Sequence, residues 1–168
     1  MPSYFSKTSR LGRVNTGSVA QRLADTPGVA RTILDAARAA RGMPGADPRA
    51  MSHSWLFTGP PGSGRSLAAL DFAAALMCTD PEEPGCGRCE ACQAVLDAKQ
   101  HTDLVLVDPQ EVIIPVDTVR EVIGRAASLP TVAPWRVVIF NNADRLNNNG
   151  ANALLKTVEE PPARTVII

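Results

Sequence analysis

Four cysteines, Cys78, Cys86, Cys89 and Cys92, lie within 15 residues of one another. Their spacing supplies four thiolates, which is enough for a closed tetrahedral Zn²⁺ site with no open coordination position. A redox pair and inert buried thiols are the alternatives. Four crowded thiols in a chain without a secretion signal favour a metal over disulfides. We therefore predict a structural zinc module at about residues 78–92, which would add stability and a surface for a partner.

A second candidate site is the run Gly59-Pro60-Pro61-Gly62-Ser63-Gly64-Arg65-Ser66, which follows a short apolar stretch. It has the position and spacing of a P-loop, in which backbone N–H groups at a helix N-terminus bind phosphate oxygens. All eight residues are therefore candidate nucleotide contacts, and Ser66 is placed to hold Mg²⁺ through its hydroxyl. The alternative is a glycine-rich turn that only joins a strand to a helix.

Three positions depart from the pattern of an active ATPase. Arg65 stands where the motif has lysine, and a planar guanidinium replaces a compact ammonium. Asn141 and Asn142 follow the third apolar run, where such enzymes carry an Asp for Mg²⁺ and often a Glu. Asp144 would point away from the phosphates if the strand ends at Phe140. We assign no catalytic residue and expect poor turnover, while binding of ATP and Mg²⁺ stays open.

The elements that must position these groups follow a strand–loop–helix pattern. Apolar runs alternating with amphipathic stretches predict a parallel sheet covered by helices on both faces. Strands are predicted at 54–58, 103–107, 136–140 and 165–168. A first helix is predicted from Thr26-Pro27 to Arg41-Gly42. Three further helices are predicted from apolar stripes at Leu67, Leu70, Ala74 and Met77, at Val119, Val122, Ile123 and Ala126, and at Ala151, Leu154, Leu155 and Val158.

Length and composition indicate one ordinary domain, because 168 residues with 45% hydrophobic and 20% charged content can bury a core. We interpret residues 1–18 as a flexible extension and 19–168 as the domain, which stops inside a predicted strand and so looks truncated. The extension carries three bases and no acid, so the remainder has 14 bases and 17 acids, a net −3. That balance gives no global attraction to nucleic acid. Without a membrane span or signal peptide, we expect a cytoplasmic protein.

Taken together, these residues resemble one protein family, the ATPase-type domain of the clamp-loader subunits of bacterial DNA polymerase III. Within that family the resemblance is strongest to delta-prime subunits. The matching segments are 59–66, the cysteine insert, His101-Thr102-Asp103, Val116-Asp117-Thr118-Val119-Arg120-Glu121, Ala143-Asp144-Arg145-Leu146 and Ala151-Asn152-Ala153-Leu154-Leu155-Lys156-Thr157-Val158-Glu159-Glu160-Pro161-Pro162.

The resemblance implies an AAA+ fold with a zinc insert, in a pentameric clamp loader that places a sliding clamp on primed DNA during replication. Its partners would be gamma/tau, delta, the clamp and DNA. A delta-prime subunit implies a stator within the polymerase III holoenzyme, a nucleotidyltransferase complex, with no polymerase activity and little or no ATPase activity of its own. The first alternative is a gamma/tau-like motor that hydrolyses ATP despite Arg65. The second is a zinc-dependent nucleic-acid-binding module, which would need more bases near the cysteines than Arg88 and Lys99.

Overall fold

The computed structural model of the protein describes residues 17–110 and 112–168. The predicted extension therefore lies outside the described residues, except for Gly17 and Ser18. The helices are α1 (Val19–Arg22), α2 (Pro27–Ala40), α3 (Arg65–Met77), α4 (Glu90–Leu96), α5 (Val116–Ala126) and α6 (Asn148–Glu159). The strands are β1 (Leu104–Val107), β2 (Arg136–Phe140) and β3 (Thr165–Ile167). Short 3₁₀ turns lie at Pro48–Ala50 and Ala143–Arg145. Across the described ranges, no helix is long and apolar enough to span a bilayer.

The three strands form one parallel sheet in the order β1-β2-β3, as the alternating pattern predicts. In register, Leu104 lies opposite Val137, and Val137 lies opposite Val166. Every residue of the three strands is buried. A parallel sheet needs cover on both faces, and continuous apolar strands of this kind are its usual sequence signature.

The strand predicted at 54–58 forms only one bridge, from Ser54 to Ile167. Around that bridge the Trp55 N–H donates to the Ile167 carbonyl at 2.9 Å, and the Ile167 N–H donates to the His53 carbonyl at 2.9 Å. Leu56, two residues after the bridge, is 81% exposed. The segment still runs parallel to β3 and delivers the chain to the glycine-rich run at 59–66.

Alternate strand residues face two separate cores. One core lies between the sheet and the helices α2, α3 and α4, and the other lies under α5 and α6. Helix α3 is buried on all sides from Ala68 to Met77, so it lacks the single apolar stripe that we predicted. Leu67, a predicted member of that stripe, is 54% exposed because it lies on the first turn, before the helix enters the core. Leu155 of α6 is also exposed, whereas Leu154 and Val158 pack against the second core.

Helix α1 has no counterpart in the sequence prediction. Ser18 is its N-cap, and its side chain accepts a hydrogen bond from the Gln21 N–H while the Gln21 side chain accepts from the Ser18 N–H. This reciprocal arrangement is a capping box, which satisfies two N–H groups that the helix leaves unpaired. Four residues are too few for a periodic pattern, so the capping residues were the available signal.

Candidate functional site

The glycine-rich loop, Gly59–Ser66, joins the segment beside β3 to the start of α3. Gly62 and Gly64 have φ values of 83° and 82°, a left-handed conformation that favours glycine. A Cβ atom at Gly59 would lie 2.5 Å from the Ser63 hydroxyl oxygen, so a side chain does not fit there. The Ser63 N–H donates to the Pro60 carbonyl at 3.1 Å. The loop is therefore compact, and its glycines are required by geometry.

Arg65 connects this loop to the end of β2. Its guanidinium donates one hydrogen bond to the Gly59 carbonyl and a longer one, 3.5 Å, to the Asn142 side-chain oxygen. Arg65 is half-buried, and Asn142 has a left-handed φ of 54°. Both acceptors are neutral, so the planar fork is held within the protein by contacts weaker than those it would make with a phosphate.

A cleft of about 470 Å³ separates the glycine-rich loop from the end of β2. Ser66, Asn141, Asn142 and Asp144 lie along it. β2 ends at Phe140 as assumed, and Asp144 lies among the residues that line the cleft. That its side chain points away from the phosphates stays a prediction. The cleft thus has two hydroxyls, one guanidinium, two amides and one carboxylate among its described lining residues.

Asn141 is held by the neighbouring strand. Its side-chain amide donates to the Asp108 carboxylate, just beyond β1, at 3.3 Å. Asp108 does not line the cleft among the described residues, so it does not replace the carboxylate that Asn141 lacks. At the carboxyl edge of the sheet, the Asn141 amide therefore bonds to a carboxylate and does not itself offer a carboxylate to Mg²⁺.

A larger cavity of about 720 Å³ lies on the other side of the loop. Its lining is mainly apolar and includes Ile33, Trp55 and Phe57. An ion pair lies at its edge, where the Arg22 Nε donates to the Asp71 carboxylate at 2.5 Å. Asp71 is only 2% exposed, and burial raises its pKa although Arg22 acts to lower it. Sequence analysis did not identify this pair, because its two members are 49 positions apart.

The four cysteines converge as predicted. Their sulfur atoms all lie within 4.8 Å of one another, and the Sγ atoms of Cys89 and Cys78 are 3.8 Å apart. A tetrahedral Zn²⁺ site with Zn–S bonds of about 2.3 Å would place its sulfurs about 3.8 Å apart. Backbone N–H groups also reach the sulfurs of Cys86 and Cys89 at 3.4 Å, which stabilises thiolates. The four residues therefore fit a metal ion that prefers sulfur.

Shared protons dominate the electrostatics of this cluster. A hydrogen bond with the Cys92 thiol lowers the pKa of Cys78 to about 4. The same contact, helped by burial, raises the pKa of Cys92. Burial raises the pKa of Cys86 as well. Burial raises the pKa of Cys89, but hydrogen bonds to its sulfur outweigh burial and lower it. A cation in the centre would displace the remaining thiol protons.

The surface around the cysteines is not basic. Arg88 pairs with Asp80 at 2.7 Å and with Glu83 at 3.3 Å, so its charge is offset locally. Cys89 caps the short helix α4, whose first residue is Glu90. This arrangement gives no support to a nucleic-acid-binding module built around the metal site.

The described structure also contains a buried polar centre that sequence analysis quoted only as part of a matching segment. The Asp103 carboxylate is fully buried and accepts hydrogen bonds from the N–H groups of Thr131, Val132 and Ala133 at 2.7–2.9 Å. Arg136 donates to it at 2.9 Å. Burial raises the pKa of Asp103, but these donors outweigh burial and hold it well below its usual range. The centre fixes the loop before β2.

The chain is similar to known proteins along most of its length. Residues 45–168 match the family model described as DNA polymerase III, delta subunit. The DNA polymerase III subunit delta′ of Pseudomonas aeruginosa is 39% identical over 120 residues, covering 70% of this chain and 36% of that protein. The subunit delta′ of Escherichia coli is 34% identical over 116 residues, covering 67% and 34%. The subunit tau of Bacillus subtilis is 33% identical over 118 residues, covering 70% and 21%. The chain thus spans about a third of the length of its delta′ relatives.

Proposed function

This chain belongs to the DNA polymerase III delta-subunit family, and we propose that it is the N-terminal part of a delta-prime subunit in the clamp loader. In that role it contributes a stator, a fixed surface against which the ATP-driven subunits move while the sliding clamp is placed on primed DNA. Its partners would be gamma/tau, delta and, through the complex, the clamp and DNA. Residues 19–168 would form its AAA+ domain.

The geometry of Arg65 is the observation that carries the stator role. In a motor the cation at this position binds the β- and γ-phosphates, whereas here the guanidinium bonds to Gly59 and Asn142. The end of β2 offers Asn141 and Asn142, and an amide is neither a strong Mg²⁺ ligand nor a general base. A subunit that never cycles tolerates all three changes together.

We propose the eight residues Gly59–Ser66 as the site of any residual nucleotide binding. The left-handed Gly62 and Gly64 support this, because such glycines let backbone N–H groups turn toward a phosphate. Bound nucleotide would have to displace Arg65 from its two acceptors. We therefore expect ATP·Mg²⁺ to bind weakly and to turn over slowly, with no catalytic residue in this chain.

We propose that Cys78, Cys86, Cys89 and Cys92 hold one structural Zn²⁺. The sulfur-only donor set and its mutual spacing within 4.8 Å support zinc over a harder cation. When bound, the ion would supply cross-linking and no chemistry, since four thiolates leave no coordination position open. The chain's own residues prepare the site by directing backbone N–H groups at three of the sulfurs, those of Cys78, Cys86 and Cys89.

The experiment that tests this proposal uses the full-length protein. Clamp loading onto primed DNA is measured in a reconstituted complex with and without it, and ATP turnover is measured on the isolated protein. The proposal predicts loading only when the protein is present, together with phosphate release no faster than from a Ser66→Ala variant. Turnover by the isolated protein that the Ser66→Ala change abolishes would contradict the stator role.

One observation favours the second candidate, a gamma/tau-like motor. Asp144 lies on the cleft opposite Ser66 and gives it a carboxylate that the sequence pattern did not predict. If Asp144 served a motor, an Asp144→Asn change would reduce turnover by the full-length protein. A stator predicts the same background rate for both proteins.

A further inference from the structure

We propose that α1 is a strap through which the cysteine cluster positions the wall of the 720 Å³ cavity beside the glycine-rich loop. Val19 and Arg22 are its two attachment residues, and both act as positioning residues. This inference rests on the proposed function in one respect, that the cysteines bind a metal. It joins two features of the structure, the cysteine cluster and the 720 Å³ cavity, that the proposed function treats separately.

The first attachment is to the cysteine module. The Val19 N–H donates to the Gly85 carbonyl at 2.8 Å, and the Val19 side chain is fully buried. A Cβ atom built on Gly85 would lie 2.5 Å from the Val19 side chain. A Cβ atom on Gly87 would lie 1.9 Å from the Gly17 carbonyl oxygen. Gly85 and Gly87, which flank Cys86, therefore lack side chains where Val19 and Gly17 pack against the cysteine module.

The second attachment is to the helix that follows the glycine-rich loop. Arg22, at the other end of α1, donates to Asp71 of α3 at 2.5 Å. Asp71 is 2% exposed, so the pair is anchored within the core and not on the surface. A buried carboxylate that lost this partner would be left without its charge compensation, which strongly disfavours any position of α1 away from α3.

The cavity wall is continuous with this strap. Arg22, Leu23, Asp25 and Thr26 line the cavity from one side, and Ser63 and Arg65 line it from the other. The position of residues 22–26 therefore sets the width of the cavity. When a metal orders the module, Gly85 is fixed and its bond to Val19 is reinforced. When the metal is removed, this attachment weakens, and α1 relies on the Arg22–Asp71 pair and on the packing of Val19 and Leu23 in the core.

Such a connection must act in both directions, because coupling between two sites is reciprocal. Loosening α1 should therefore speed loss of metal from cysteines that the substitution does not touch. Val19→Ala removes buried contacts with the module. The double variant Arg22→Gln with Asp71→Asn removes the distant attachment without leaving a buried charge unpaired. Gly124→Ala is the matched control, since it lies on α5, away from the cavity, and a Cβ there meets no atom within 4 Å.

The test begins with the metal content of the full-length protein, because absence of zinc overturns the metal proposal itself. Zinc release to a colorimetric chelator is then timed for all four proteins. The strap predicts that zinc release is at least about fivefold faster in Val19→Ala and in the double variant, which is the lower end of usual coupling effects. It predicts no change in Gly124→Ala. Equal release rates for all four zinc-loaded proteins would overturn the strap and leave the zinc site standing.

Amide hydrogen exchange supplies a second readout on the unmodified protein. The N–H groups of Arg22 and Leu23 are bonded within the strap, to Ser18 and Val19. Removal of zinc should raise exchange at 19–23 at least about tenfold while the amides of β1 and β2 stay protected. Unchanged exchange at 19–23 in the metal-free protein would contradict the proposal. Faster loss of protection in β1 and β2 than at 19–23 would also contradict it.

Discussion

Asp103 is a fully buried carboxylate that organises the loop before β2. It accepts three backbone N–H bonds and a guanidinium from Arg136. An Asp103→Asn change would leave Arg136 buried without its counter-charge and replace one of the two acceptor oxygens with an N–H donor that faces other N–H donors. We expect a loss of about 3 kcal/mol in the free energy of unfolding, measured by urea denaturation. Asp117→Asn is the control, because that side chain is 87% exposed and should change stability by less than about 0.5 kcal/mol.

The same residue predicts a pH dependence with a definite sign. The pKa of Asp103 is lowered in the folded protein, so its contribution is complete above the unfolded pKa of about 4. The contribution is lost as the pH falls from there through the folded pKa. The difference in urea midpoint between the natural protein and Asp103→Asn should therefore be constant from pH 5 to 7 and shrink below about pH 4. A difference that grew on acidification would refute this assignment.

Arg65, Asn141 and Asn142 make a joint prediction about turnover. Changing them to Lys, Asp and Glu would release the loop from Asn142 and supply a Mg²⁺ ligand and a general base. We expect phosphate release to rise about 100-fold over the natural full-length protein, because general bases contribute at least that much. Adding Ser66→Ala should abolish the gain. Arg65→Lys alone should have no such effect, since the acids would still be missing.

At the scale of elements, the sequence predicts most helices and fails at specific places for physical reasons. Helix α2 begins at Pro27 as the cap pattern indicates, and it ends at Ala40 before Arg41-Gly42. The segment at 54–58 is apolar enough for a strand, but in the structure it pairs with β3 through a single bridge at Ser54. Leu67 fits the helical period of α3 and is nevertheless exposed. Periodicity predicts which face of a helix turns toward the core, but it does not predict where along the helix burial begins.

The cysteine module predicts a strong dependence of stability on metal. Cys86→Ser removes one of four sulfurs and should reduce the zinc content measured by mass spectrometry to near zero. The melting temperature should fall by about 10 °C, since the ion cross-links α3 to α4. Arg88→Gln is the control, as it breaks an exposed ion pair and leaves every thiol in place. Full zinc content in Cys86→Ser would show that this thiol is not a ligand.

For the molecule as a whole, local pattern predicts which residues can act, and the fold decides which of them meet. The convergence of the four cysteines was predictable because all four lie within a span of 15 residues. The contact between Arg65 and Asn142 spans 77 positions, and the pair between Arg22 and Asp71 spans 49. Neither follows from spacing, because each depends on how α3 packs between the sheet and the remaining helices. The Arg65–Asn142 contact is also the feature on which the stator and the motor proposals differ.

The proposed assembly with partner subunits leads to a prediction about the end of α6. Glu159 and Glu160 are exposed at the C-terminal end of α6, where the helix dipole disfavours negative charge by about 0.3–1 kcal/mol. Neither forms an ion pair with another described residue, so nothing within this part of the chain offsets that cost. A subunit contact with a basic surface would offset it.

Reversing both charges to lysine should therefore weaken binding to purified gamma/tau and delta about tenfold, as measured by sedimentation of the mixed full-length proteins. The same charge change at Asp117 and Glu121, which are exposed on α5, is the control and should leave assembly unaltered. Equal affinities for both lysine variants and the natural protein would remove Glu159 and Glu160 from the interface. Equal weakening by both would mean that net charge, and not this end of α6, governs association.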